Sequence, residues 1–208
     1  MTLKIYGIAA SRAIRPLWVA EELGLSYEHV AQRYQGGATH TPEFLALNPN
    51  GHIPVVDDNG IIVWESMACA LYLARRFGSD LPDSIAPHTP QEEAEGLRWS
   101  FWTVTELEKD ALTVLMHRQA MPLEQRKPEL AEAAEKRLAA PLRVLEQHLQ
   151  NRSYIAGERF TVADVCVASV ALWIRPATAL MALLPRTQAW LQTCLARPAF
   201  VRAKALGR

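Results

Sequence analysis

At 208 residues, half of them hydrophobic and about a fifth charged, the chain has a globular composition and room for one large domain or two small ones. Its 22 basic and 22 acidic residues cancel, so net charge gives no ground for binding nucleic acid or an anionic membrane. The N-terminal MTLKIYGIAASRAIR lacks the apolar core of a signal peptide. The longest apolar run, residues 165–174, is about half of what a membrane span needs and reads as a buried helix. Cys69, Cys166 and Cys194 are widely separated, with no CxxC pair and no zinc-type spacing. They predict reduced, packed thiols in a cytoplasmic protein and no dithiol mechanism.

Residues 3–6 predict a short strand, residues 7–10 a turn, and residues 12–23 a helix closed by Gly24, with Ala13, Leu17, Ala20 and Leu23 on its apolar face. Residues 27–32 form the next strand pattern, and so short a strand–helix–strand unit is a parallel crossover. Between 32 and 48 the sequence loosens around Gly36 and Gly37. Thr41 as N-cap with Pro42 at the first helical position then opens a single apolar turn, and the Gly-rich part is a candidate mobile flap.

The stretch from Asn48 to Gly78 carries the most information. It parses as a turn, a strand over 54–56, an Asp-Asp-Asn-Gly turn over 57–60, a strand over 61–64, and a helix from Ser66. Glu65-Ser66 reads as its capping start and Gly78 as its stop, with Leu71, Ala74 and Phe77 at helical spacing and Arg75 and Arg76 in the last turn. Ile53-Pro54 enters a strand directly. A trans bond there is an ordinary strand start, whereas a cis bond would fix a tight turn and offer the Ile53 backbone to an extended peptide. Glu65-Ser66 is either a solvated capping pair or a receptor for a ligand's carboxylate and ammonium.

Residues 79–91, with Pro82, Pro87 and Pro90, read as a linker between a domain of residues 1–78 and an all-helical domain of residues 92–208. Long helices are expected over 92–109 and 123–150, the second interrupted by Pro141 and buried through Leu130, Ala134, Leu138, Leu142, Leu145 and Leu149. Thr161 and Asp164 form a capping box with Phe160 and Val165 as the hydrophobic staple. Two short helices separated by Pro198 complete the chain.

In order and spacing, Asn48, Pro49, Gly51, His52, Ile53, Pro54, Glu65 and Ser66 resemble the glutathione-binding pattern of cytosolic glutathione transferases. The Thr161/Asp164 box resembles a motif of that family's helical domain, so the resemblance spans both halves. It implies an α/β thioredoxin-like N-terminal domain with a mixed four-stranded sheet, followed by an all-α domain. It also implies a cis Ile53-Pro54 bond, an Ile53 backbone that pairs with the cysteinyl unit, and Glu65 and Ser66 at the γ-glutamyl end. His52 stands where many relatives carry Lys, facing the glycine carboxylate. An imidazole changes charge in the physiological range, so that contact would depend on pH. Gln35 and His40 fall where other relatives supply carboxylate contacts.

Ser11, four residues before Arg15, is similar to the activating serine of the theta and delta classes, and bacterial-type members of this serine kind are the nearest likeness. Read from the residues alone, Ser11 is a helix cap. Tyr6 is the rival thiol activator. Arg12 is solvated, salt-bridged or beside the thiolate, and Arg15 has the same options. Trp99, Trp102 and Thr103 are at the right helical spacing to line a pocket for the second substrate, or else to serve core or dimer packing. The implied activity adds the glutathione thiolate to small hydrophobic electrophiles, a detoxifying reaction, in a cytoplasmic homodimer that uses no metal. Two alternatives share the site: a glutathione-dependent peroxidase, reductase or dehalogenase, and a non-catalytic binding module.

Overall fold

The computed structural model describes residues 2–207; Met1 and Arg208, the outer bounds of the two expected domains, lie outside them. Two compact units result: one runs to His88 and takes in the chain from Ala196 onward, and the other is Thr89–Leu195.

In the first unit, β1 (Leu3–Tyr6), α1 (Ile14–Glu22) and β2 (Glu28–Val30) form the parallel crossover. The short α2 (Pro42–Leu47) follows, and Thr41 Oγ1 accepts the Phe44 N–H at 3.3 Å, as the Thr-Pro start predicts. Then come β3 (Val55–Asp58), β4 (Ile61–Trp64) and α3 (Ser66–Gly78). The sheet order is β2-β1-β3-β4, with β3 antiparallel to both β1 and β4, a mixed thioredoxin-like sheet.

Several boundaries shift for local reasons. Asp57 and Asp58 belong to the ladder, and the hairpin turns on Asn59 and Gly60 alone, at φ 53° and 95°. A two-residue turn with both central residues left-handed matches the twist of the flanking strands, which is why Asn-Gly sits there. Gly60→Ala is expected to cost about 1 kcal/mol in urea unfolding, because a Cβ disfavours that backbone region. A change below a few tenths would refute the turn assignment.

Helix α1 begins only at Ile14, because residues 9–13 form turns stabilised by Ser11. Every residue from Ile14 to Ala20 is buried, far more than one stripe. On α3 the buried apolar side chains are Met67, Cys69, Ala70, Leu73 and Ala74, while the expected Leu71 and Phe77 are only partly covered. Gly78 ends the helix from inside, where a Cβ would meet Ala86 Cβ and Ser84 Oγ at 3.0 Å. The supposed linker is therefore packed: Ser84, Ile85 and Ala86 are buried, and Ser84 Oγ donates to the Gly78 carbonyl at 2.6 Å.

In the second unit, α4 (Pro90–Trp102) is capped by Thr89 and runs through a π-helical turn, Thr103–Leu107, into α5 (Glu108–Leu115). A second π turn, Met116–Ala120, ends it, and Arg126 donates to the carbonyls of Met121, Arg118 and Gln119 at 2.8, 3.1 and 2.5 Å. The helix expected over 123–150 is α6 (Pro128–His148), flanked by 3-10 turns, with Pro141 inside it. Its buried stripe starts at Ala131, and Leu130 faces solvent. Helices α7 (Val162–Ala171), α8 (Thr178–Met181) and α9 (Pro185–Leu195) complete this unit, and all of α7 is buried.

The Thr161/Asp164 capping box is present in full. Asp164 Oδ1 also accepts the Ile155 N–H and the Trp190 indole N–H, each at 2.9 Å, so one carboxylate ties the 154–157 turn, α7 and α9 together.

The last helix, α10 (Pro198–Ala205), corrects the expected second domain, which extended to residue 208. It packs on α1, where the Trp18 and Phe200 rings lie 4.7 Å apart. Arg197 holds Glu22 through two bonds of 2.6 and 2.7 Å, and Arg202 holds Glu21 at 2.7 Å. Covering the fully buried Trp18 is the physical reason for the return. Among the described residues, no helix is long and apolar enough to cross a membrane.

Candidate functional site

The loop before β3 is built by Asn48. This buried side chain donates Nδ2–H to the His52 carbonyl at 2.7 Å, while its Oδ1 accepts the Asn50 backbone N–H at 3.0 Å. The loop ends in a cis Ile53-Pro54 bond, resolving the choice the dipeptide left open. Ile53 packs with Ile8, Phe44 and Val55, and Tyr6 lies against this cluster with its ring edge-on to Phe44 at 6.4 Å. Ladder pairing of β3 starts at Val55, so the Ile53 N–H and C=O lie outside it.

At the start of α3 the expected capping pair is absent. Glu65 is the N-cap residue but makes no side-chain cap, and its backbone takes φ 69°, a left-handed conformation rare for a residue with a side chain. Strain of this kind concentrates at ligand clamps. The Ser66 hydroxyl, 4% exposed, accepts a bond from Arg15 Nη1 at 2.5 Å instead. Arg15 is 1% exposed and is the largest polar residue buried in this unit, so of its three options the solvated one is excluded. Nothing in its sequence neighbourhood names Ser66 as its partner; the signal was only that it falls within the apolar run from Ala13 to Ala20.

Ser11 precedes α1 by three residues, in the turn that Gly7 opens. A Cβ at Gly7 would stand 2.5 Å from the Ala13 Cβ, so the turn closes only around glycine. The Ser11 hydroxyl is partly accessible. It donates to the Ile8 carbonyl at 2.8 Å and accepts the Ala13 N–H at 3.1 Å, so it is not the cap of α1, whose N-cap residue is Ala13. Arg12 beside it is exposed.

Gln35, His40 and His52 are all exposed. Gln35 opens a 3-10 turn, Gln35–Gly37. The His40 ring lies against Gly51, and its Nδ1 is 3.3 Å from Thr39 Oγ1.

All three cysteines are buried. Burial pushes the Cys69 thiol up to about 12, although its backbone hydrogen bonds oppose the shift. Such a thiol stays protonated and does not act as a nucleophile at neutral pH. Among the described residues, no group of three or more His, Cys, Asp or Glu side chains is placed to hold a metal.

In the helical unit, Trp99 and Thr103 are buried and their polar atoms are engaged locally. The Trp99 indole donates to Glu95 Oε2 at 3.0 Å, and Thr103 Oγ1 donates to the Trp99 carbonyl at 2.7 Å. Trp102 is partly exposed and packs edge-on to Trp99, with centroids 4.7 Å apart. Of the three expected pocket residues, it alone keeps accessible surface. Glu95 was not foreseen: it is buried and also holds Gln91 and Arg98.

Comparison with known proteins meets this geometry at both ends of the chain. The family profile described as "Glutathione S-transferase, N-terminal domain" matches residues 1–75, and "Glutathione S-transferase, C-terminal domain" matches residues 105–198. Glutathione S-transferase 3 of Zea mays is 32% identical over 98% of this chain and 93% of its own. Among solved structures, glutathione transferase F7 of Populus trichocarpa superposes with a TM-score of 0.88 at 25% identity, covering 99% of each chain. The theta class glutathione S-transferase of Xanthomonas axonopodis pv. citri, solved with glutathione bound, gives 0.82 at 28% identity over 97% of this chain and 96% of that one. The chain belongs to the glutathione S-transferase family, and it is one of that family's enzymes.

Proposed function

We propose that the chain is a cytoplasmic, detoxifying glutathione transferase of the serine type that adds the glutathione thiolate to small hydrophobic electrophiles. The observation that carries this reading is the pairing of Ser66, buried at the start of α3, with the Arg15 guanidinium behind it. A hydroxyl and free backbone N–H groups at a helix N-terminus, with a fixed cation behind them, suit a carboxylate, and Glu65 beside them suits an ammonium. Together they fit the amino-acid end of glutathione. The Ile53 N–H and C=O, outside the sheet ladder, fit its extended cysteinyl unit. His52, Gln35 and His40, all exposed, remain candidates for the glycine carboxylate.

In this mechanism the Ser11 hydroxyl keeps the Ala13 N–H as donor and turns its own proton from the Ile8 carbonyl to the glutathione sulfur. One hydrogen bond to a thiolate, worth about 1.5 to 3 kcal/mol, lowers a thiol that titrates near 8.5 by about one to two units. Arg12 adds positive potential from the same turn. Tyr6, packed on the Phe44 cluster, is the less favoured donor. The thiol proton is released to solvent, the thiolate forms a bond to the electrophilic carbon, the leaving group departs with its electron pair, and Ser11 keeps its own proton. Trp102 is the candidate wall for the electrophile. Calorimetric titration of glutathione, with a chlorodinitrobenzene conjugation assay, tests the reading. Binding with turnover supports it, binding with hydroperoxide turnover alone points to a peroxidase, and no binding refutes it.

A homodimer is part of this proposal. Leu97, Phe101 and Val104 stand on one side of the α4 region at spacings of four and three, and Phe101 is 69% exposed. An exposed apolar stripe of this kind marks an interface. Phe101→Glu is expected to weaken dimerisation about 30-fold or more by sedimentation velocity, the loss of a central apolar anchor. An unchanged dimer would exclude this face.

A further inference from the structure

Arg15 lies on α1 and Ser66 on α3, 51 positions apart, and both are almost wholly buried where Nη1 meets Oγ at 2.5 Å. The chemistry of the pair is one-sided. A guanidinium has only donors and keeps its charge at every accessible pH, so Ser66 Oγ must accept in this contact. A hydroxyl has one proton and two acceptor lone pairs. With a lone pair committed to Arg15, its proton is left to be donated to a further acceptor. Donation points the site toward an anion, and the buried charge, little screened by solvent, acts in the same direction as the α3 dipole. A serine without such a neighbour could equally accept from an ammonium or an amide.

We propose that Arg15 is a positioning residue that holds Ser66 as a hydrogen-bond donor and so makes this end of the site selective for a carboxylate over its neutral amide. The inference rests on the glutathione reading above and deepens it: the group selected is the α-carboxylate of the γ-glutamyl unit. Arg15 need not touch the ligand.

The test compares glutathione with its analogue in which that α-carboxylate is an amide, by calorimetric titration of the wild type, Arg15→Met, Arg15→Lys and Ser66→Ala. The wild type is expected to prefer the acid about 10-fold or more, and Arg15→Met to reduce that preference to about threefold or less. In Arg15→Met, KM for glutathione should rise by a larger factor than kcat falls. Arg15→Met and Ser66→Ala should combine less than additively, because each removes the same contact. A folded Arg15→Met that keeps the wild-type preference overturns the inference while leaving the glutathione reading intact. If Arg15→Met does not fold, Ser66→Ala decides: a fall in preference to about threefold or less supports the proposal and an unchanged preference overturns it, while Arg15→Lys, which also can only donate, should keep more of the preference than Arg15→Met. No glutathione binding by the wild type overturns both.

Discussion

Ser11→Ala is expected to bind glutathione about as tightly as the wild type but to raise the pKa of the bound thiol by about one to two units. Near neutrality the thiolate fraction, and with it kcat/KM for conjugation, should fall about 8- to 25-fold. The loss should shrink as the pH rises past the variant's thiol pKa, where both proteins carry the sulfur ionised. Ultraviolet absorbance of the bound thiolate across pH reads the shift directly. The prediction fits a hydroxyl that is partly accessible and already donating, 2.8 Å from the Ile8 carbonyl, so that activation needs only a change of acceptor. An unchanged thiol pKa in Ser11→Ala, with a raised one in Tyr6→Phe, would transfer the role to Tyr6.

Asp164→Ala is expected to be the most destabilising single change in the helical unit, at about 3 to 5 kcal/mol. It leaves the N–H groups of Ile155, Thr161 and Trp190 buried without an acceptor. The penalty should vary with pH in a definite direction. Burial raises the carboxyl from 3.8 to about 6, against the pull of its backbone and side-chain hydrogen bonds. Between those values the folded protein holds a proton that the unfolded chain has released, so this group's contribution to stability falls as pH rises through about 6. The difference between wild type and Asp164→Ala should therefore be larger near pH 4 than near pH 7, by on the order of 2 to 3 kcal/mol. Urea unfolding at both pH values checks it; a difference that grows with pH would mean that the hydrogen bonds outweigh burial and the carboxylate is held ionised.

What could be read ahead of the structure was local. The hairpin, read with a turn over 57–60 that narrows to Asn59 and Gly60, the Thr41-Pro42 helix start and the Thr161/Asp164 box each follow from residues within a few positions, because turn and cap geometry is satisfied within one turn of chain. The expectations that moved depended on neighbours distant in sequence. Leu130 and Ala131 fit the helical period almost equally well, and only packing in the helical unit buried the alanine. The 79–91 segment reads as a linker by its prolines, yet Ser84 and Ala86 seat it on Gly78.

The same division runs through the candidate site. The motif positions, the parallel crossover, the hairpin and the helical second half were legible beforehand, because hydrophobic period, turn chemistry and caps are encoded in short windows. Contacts between distant segments fix that Ser66 bonds to Arg15 rather than capping its own helix, that α10 returns to cover Trp18, and that Trp99 and Thr103 are buried while Trp102 keeps some accessible surface. The physical reason is that a buried polar atom must find a partner wherever the fold supplies one, and that partner can stand 51 residues away on another helix.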